Sequence, residues 1–216
     1  MKLQTQTEAE QLASALKALS TQARKELGTE LGKIEHLLVN GGKAQRAAYF
    51  KATTKTFRDV SIKYAKASQS LAFKILKGSG TQLSTIPQTC SLIKAQAIVG
   101  KGAKLGDGLI SYLDGAMDMA VKRGYRETVM ANAKFYARVP TGTYTCNWCV
   151  MLASRGFVYK TAESAGEGNQ YHAHCDCLIV PAIRQDTNID GYDPDHLYDL
   201  YQEGESIGKR DRSNKT

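Results

Sequence analysis

No run in this 216-residue chain approaches the ~18 consecutive apolar residues of a membrane span, so a transmembrane helix is not expected. The first residues, MKLQTQTEAEQ, carry a lysine but no apolar core behind it, and do not read as a secretory leader. Without either signal the expected setting is intracellular. There thiols stay reduced, and cysteines bind metal more often than they pair. No internal repeat is present, so a stacked-repeat architecture is not expected. Acidic residues are almost missing from one stretch: between Lys43 and Lys77, Asp59 stands alone against nine Lys and Arg. What is there is an ordinary globular composition, 42% hydrophobic and 23% charged, in a chain long enough to bury a core without disulfides.

The net charge of +8 is unevenly spread. Residues 1–140 hold 22 Lys and Arg against 10 Asp and Glu, and residues 141–216 hold 7 against 11. The split points to two regions with different roles, the basic one suited to a polyanion such as DNA. Apolar residues from Leu12 through Leu16, Leu19, Ala23, Leu27, Leu31, Ile34 and Leu38 recur at helical spacing, with Gly28 and Gly32 as weak points and Asn40-Gly41-Gly42 as the stop. A second helix is predicted over 43–77. Its Arg46, Lys51, Lys55, Arg58, Lys63 and Lys66 are the best candidates for contacting phosphates or an acidic protein surface, set against the plainer reading of a solvated face. After a polar linker from Gly78 to Pro87, helical pattern resumes over 92–99 and over 109–136. The glycine-rich stretch from Gly100 to Gly108 matches no phosphate-binding fingerprint and reads as a hinge. Val139-Pro140-Thr141-Gly142 breaks the pattern. Two short β-prone segments follow, Phe157-Val158-Tyr159 and Leu178-Ile179-Val180, and a polar tail over 204–216 is expected to be disordered.

Four of the five cysteines and two of the four histidines lie between Cys146 and Cys177. The order is Cys146-x-x-Cys149, then His172-Ala173-His174-Cys175-Asp176-Cys177. A C-x-x-C turn sets two thiolates on one side of a metal, and a second knuckle completes a tetrahedron, so zinc is the expected cofactor. Cys146 and Cys149 are expected to ligate with two or three of His172, Cys175 and Cys177, leaving His174 as a bystander. Cys90 is isolated and reads as a small buried hydrophobe. A thioredoxin-like pair lacks its βαβ setting. A zinc deaminase would need H-x-E ahead of its C-x-x-C, and no H-x-E occurs. No catalytic residues are assigned, and a closed structural site is expected.

The run Ala137-Arg138-Val139-Pro140-x-Gly142-x-x-x-Cys146-x-x-Cys149-x-Met151-Leu152-Ala153-Ser154-Arg155-Gly156-x-Val158-Tyr159 resembles the Mu F-like minor head proteins of tailed bacteriophages, in the form found in phages of Gram-positive bacteria and notably actinobacteria. Tyr171-His172-x-His174-Cys175-Asp176-Cys177 with Val180-Pro181 resembles the second knuckle of that family, and Tyr192-Asp193-Pro194 with Leu197-Tyr198-Asp199-Leu200-Tyr201 the segment after it. The resemblance covers about residues 137–201. It implies a few-copy, portal-associated head protein that enters the procapsid, located in the virion and in the host cytoplasm during assembly. The implied partners are the portal, other head proteins and double-stranded DNA held non-specifically during packaging or ejection, with no membrane and no small-molecule substrate. Some relatives carry a fused protease, but no Ser–His arrangement supports that here. A free-standing zinc-containing nucleic-acid-binding protein is the alternative, and a nuclease or toxin-type enzyme a more distant one. The expected fold is mainly α: a basic helical region over 1–136, a small α+β lobe over 137–203 stapled by zinc, and the tail.

Overall fold

Thr5 opens the first helix. Its hydroxyl accepts from the Glu8 amide at 3.2 Å, while the Glu8 carboxylate accepts from the Gln4 and Thr5 amides at 2.6 and 3.2 Å. This reciprocal cap satisfies donors that a helix start leaves orphaned. The computed structural model describes residues 4–38, 41–77, 83–142, 144–161 and 177–207. Its helices are α1 (Gln6–Gly32), α2 (Lys43–Leu76), α3 (Leu92–Ala103), α4 (Leu109–Asn132), α5 (Asn147–Ala153) and α6 (Pro194–Gln202). The strands β1 (Phe135–Pro140) and β2 (Cys177–Ala182) form a two-stranded antiparallel sheet. The mainly helical expectation holds, and the described residues of the expected small α+β lobe include a two-stranded sheet.

Three expectations are corrected. The fourth helix stops at Asn132, not at Tyr136. The Asn132 amide turns back to donate to the carbonyls of Thr128 and Ser84 at 2.8 and 3.0 Å, and its oxygen accepts from the Ser84 amide at 2.6 Å. The β-prone residues after it then pair as a strand. The glycine-rich stretch is largely helical, because Gly100 and Gly102 belong to α3. A Cβ on Gly102 would stand 2.7 Å from Leu109 Cδ1 and 3.1 Å from Tyr112 Cδ1, so the missing side chain lets α3 and α4 approach. Gly106, at φ +56°, makes the reversal between them. Finally, Phe157–Tyr159 is a turn in which only Tyr159 pairs, with Tyr136.

Contacts group the chain into two compact units, one of Met1–Ala15, Leu71–Thr85 and Arg126–Thr216, the other of Leu16–Ser70 and Ile86–Tyr125. The second unit is a helical bundle. Its core joins Ala23, Leu27 and Leu31 of α1, Phe57 and Val60 of α2, Ala95 and Val99 of α3, and Leu113, Met117 and Val121 of α4. The α1 residues are the stripe read from the sequence. In the first unit the chain start pairs beside the C-terminal elements: the Gln6 amide donates to Asp190 O at 2.8 Å and the Asp190 amide to Gln4 O at 2.9 Å. Ile207, placed by sequence in the polar tail, exchanges two backbone bonds with Thr145 at 2.8 and 3.0 Å. Residues 208–216 lie outside the described residues.

Gly124 on α4 is the tightest point of the bundle. A Cβ there would meet Ala65 O at 2.3 Å, Ser68 Oγ at 2.5 Å and Ala65 Cα at 2.8 Å, two of which are backbone atoms of α2. Gly124→Ala is expected to lower unfolding free energy by about 1–3 kcal/mol through overpacking. Gly28→Ala, where a Cβ meets nothing within 4 Å on an exposed stretch of α1, is expected to raise it by roughly 0.5–1 kcal/mol. Urea unfolding of the two variants checks the opposite signs.

Candidate metal centre

The strands β1 and β2 pair with Pro140 opposite Cys177 and Arg138 opposite Ile179. Opposed residues lean to the same face, and that face returns every second residue. Arg138, Pro140, Cys177 and Ile179 therefore share one side of the ribbon. Helix α5 packs on β1, and Arg138 Nη2 donates to Cys149 Sγ at 3.5 Å, so this is the side that α5 covers. The register thus sets Cys177 on the ribbon face turned toward Cys149.

Cys146 is the N-cap of α5 and Cys149 follows in its first turn, which brings the C-x-x-C pair to one end of the helix. Cys149 is buried, while Cys146 and Cys177 are half-buried and none of the three is in a disulfide. Among the described residues no three His, Cys, Asp or Glu side chains come together as a metal-holding group. His172, His174 and Cys175 lie outside the described residues. Three of the five candidate ligands are therefore placed, on one helix end and on the strand face toward it.

Two tyrosines fix α5 from its other end. Tyr159 Oη donates to Leu152 O at 2.6 Å and Tyr192 Oη donates to Ala153 O at 2.5 Å, filling carbonyls that the helix end leaves open. Gly156, at φ +64°, turns the chain back between the end of α5 and Tyr159. Burial pushes the Tyr159 hydroxyl up to about 12, against the pull of Arg155 and Arg138, and the charge of Cys177 adds to the rise. Burial raises Tyr192 as well, helped by Tyr159 and Cys177. Both rings are thus within electrostatic reach of Cys177. Asp193 caps α6, accepting from the amides of Asp195 and His196 at 3.0 and 3.1 Å, with Pro194 in the first turn.

From the sequence Arg138 is visible only as part of a motif, and Tyr159 and Tyr192 carry no evident role. Arg138 stands among the apolar Phe135, Tyr136, Ala137 and Val139, and all six residues of β1 are buried. The expected contacts of α2 divide. Lys51, Lys55, Lys63 and Lys66 are exposed and fall on one side of the helix, and Arg46 is exposed on another. Arg58 is half-buried and holds the α3 entry, its Nε donating to Cys90 O at 2.8 Å. Lys55 pairs with Asp59 at 2.9 Å, and Lys63 with Glu26 at 2.5 Å, which holds the Glu26 carboxyl below its usual range. Cys90 is half-buried against the bundle core.

The family described as VG15 protein matches residues 3–204, and the chain belongs to it. The chain is also similar to the gene 15 protein of Mycobacterium phage D29, 36% identical over 23% of this chain and 28% of that protein. It is similar to the gene 15 protein of Mycobacterium phage L5, 34% identical over 22% and 29%. These matches set the chain among bacteriophage proteins, and it spans less than a third of the length of those curated relatives. No solved structure matches it.

The raised tyrosines give a pH dependence with a definite sign. The fold keeps the Tyr159 proton above pH ~10, where an unfolded tyrosine gives its proton up. That stability is whole below about pH 10 and is lost as pH rises through the folded value of about 12. Unfolding free energy measured from pH 8 upward is expected to fall across this window. Tyr159→Phe is expected to start lower by about 1 kcal/mol, from the lost bond to Leu152, and then to fall less steeply.

Proposed function

We propose that this chain is a minor head protein of a tailed bacteriophage, of Mu F-like type, which joins the procapsid beside the portal and acts by binding. The observation that carries the reading is the C-terminal geometry: Cys146, Cys149 and Cys177 lie on facing elements of the segment whose residues resemble that family. Membership of the VG15 protein family and the similarity to mycobacteriophage proteins support the phage setting.

In this reading the cysteine cluster holds zinc through Cys146, Cys149 and Cys177, completed by His172 or Cys175. The donor types suit the ion, while the three described sulfurs do not by themselves come together as a metal-holding group. Thiolates and imidazole suit zinc, and the described sulfurs sit on a helix end and a strand that a single ion would cross-link. Zinc supplies only that cross-link, and no catalytic role is assigned. Trp148 on α5 and Tyr198 on α6 are 42% and 52% exposed on two helices that pack together. Such rings serve protein contacts well, because they offer large area at little entropic cost, and they are the surface we assign to the portal or a neighbouring head protein. The exposed side of α2, with Lys51, Lys55, Lys63 and Lys66, is assigned to DNA phosphates.

Peptide mass spectrometry of purified particles, from a phage encoding this chain, is expected to find it at low copy against the major shell protein. Its presence in lysate but in neither procapsids nor particles would remove the head-protein reading. For DNA, affinity is expected to fall steeply with salt, and the Lys51→Ala/Lys66→Ala variant to lessen the log–log slope by roughly 2. Binding that ignores salt would remove DNA from the reading.

A further inference from the structure

Two exposed faces of the described structure carry large apolar side chains and opposite charge. On the bundle, α3 buries Ala95, Val99 and Gly102 and turns its opposite side to water. At 100° per residue Ile93, Ala97, Lys101 and Lys104 fall along that outer side with Lys94 beside them, and all five are exposed. Ile93 is 79% exposed, and no Asp or Glu occurs between Leu92 and Gly106. Lys101 lies over the Tyr112 ring at 5.6 Å, and none of Lys94, Lys101 and Lys104 is in an ion pair among the described residues. Among the C-terminal elements, α6 buries Leu197 and turns Asp195, Tyr198, Asp199 and Glu203 outward. No Lys or Arg occurs between Asp193 and Ile207, and those three acids are in no ion pair among the described residues. Asn147 Nδ2 donates to Glu205 O at 3.0 Å, which puts the start of α5, with its exposed Trp148, at the C-terminal end of α6. A lone apolar side chain on a surface needs no explanation, but apolar groups rimmed by charge of one sign mark an interaction surface.

We infer that these two faces are complementary halves of a contact between copies of this chain, the outer side of α3 in one copy seating on the Trp148–Tyr198 surface of the next. The inference rests on the binding role proposed above for that surface and deepens it, naming the neighbouring head protein as a second copy. Charge decides the pairing. Two α3 faces would bring lysine against lysine, and two α6 faces carboxylate against carboxylate, and like charges across an interface are costly. Setting α3 against α6 places lysines opposite carboxylates and lets Ile93 cover an aromatic ring. The contact is therefore heterologous. Each copy offers α3 to one neighbour and α6 to another, so assembly runs on into a ring or a chain and does not stop at a symmetric dimer. The exposed lysines of α2 take no part in it.

The test is sedimentation velocity of the purified full chain across the micromolar range. The parent is expected to grow past a dimer as concentration rises, and to do so less at high salt, where the charges are screened. Ile93→Gln/Lys101→Gln and Tyr198→Gln/Asp199→Asn each remove one face, and each is expected to weaken association by about tenfold or more. Each variant keeps the other face. Mixed in equal amounts, the two are expected to recover one contact and to stop at a 1:1 pair, a recovery that also shows both variants folded. A parent that stays monomeric throughout overturns the proposal, as does a mixture that associates no better than either variant alone. Association that neither variant weakens overturns it as well. A monomeric parent that binds phosphatidylglycerol vesicles, and loses them with Ile93→Gln/Lys101→Gln, would give α3 to a lipid surface and overturn the contact between copies. The head-protein reading is decided separately by mass spectrometry of particles: a chain present in particles but monomeric in solution fails here and not there.

Discussion

A guanidinium shut away from water constrains everything packed around it, because its charge cannot be relieved by losing a proton. In this chain that group is Arg138, and the C-terminal elements are arranged about it. The β1–β2 register brings Cys177 to its face, α5 lays Cys149 against it, and Tyr159 and Tyr192 hold α5 by its final carbonyls. Pro181 is accommodated in β2 because its partner Tyr136 directs its own amide and carbonyl outward to Tyr159, at 3.0 and 3.2 Å. The ribbon is short, and the outer edge of β1 is engaged by Tyr159.

The helical bundle depends on a different constraint, the distance at which helices can meet. Its apolar core mixes small side chains such as Ala23 and Ala95 with large ones such as Phe57 and Met117, and Gly102 and Gly124 remove the Cβ atoms that would hold neighbouring helices apart. The basic side of α2 is left outside that core. Part of its charge is satisfied within the bundle by Glu26 and Asp59, so its electrostatic reach is smaller than nine basic residues suggest.

Periodicity made the helices legible. The stripe from Leu12 to Leu31 is the buried side of α1, and 43–77 differs from α2 by a single residue. The strand at 135–140 is not legible in the sequence because its apolar residues continue the helical pattern of α4, and the Asn132 side chain, bonded to Ser84, marks the end. The glycines from 100 to 108 read as a hinge because sequence cannot distinguish a glycine that frees the chain from one that admits a neighbouring helix. The cysteine cluster was legible as a pattern, but its geometry was not. That Arg138 faces Cys149 follows from strand register, which depends on pairing between residues about 40 apart in sequence.

The central claim is that sulfur and a metal organise the C-terminal elements, and X-ray absorption at the zinc edge of the purified full chain addresses it directly. The account predicts one zinc whose shell is dominated by sulfur at about 2.3 Å, with room for one nitrogen near ~2.0 Å. A shell of oxygen alone, or no zinc in a chain that is fully folded, would contradict it.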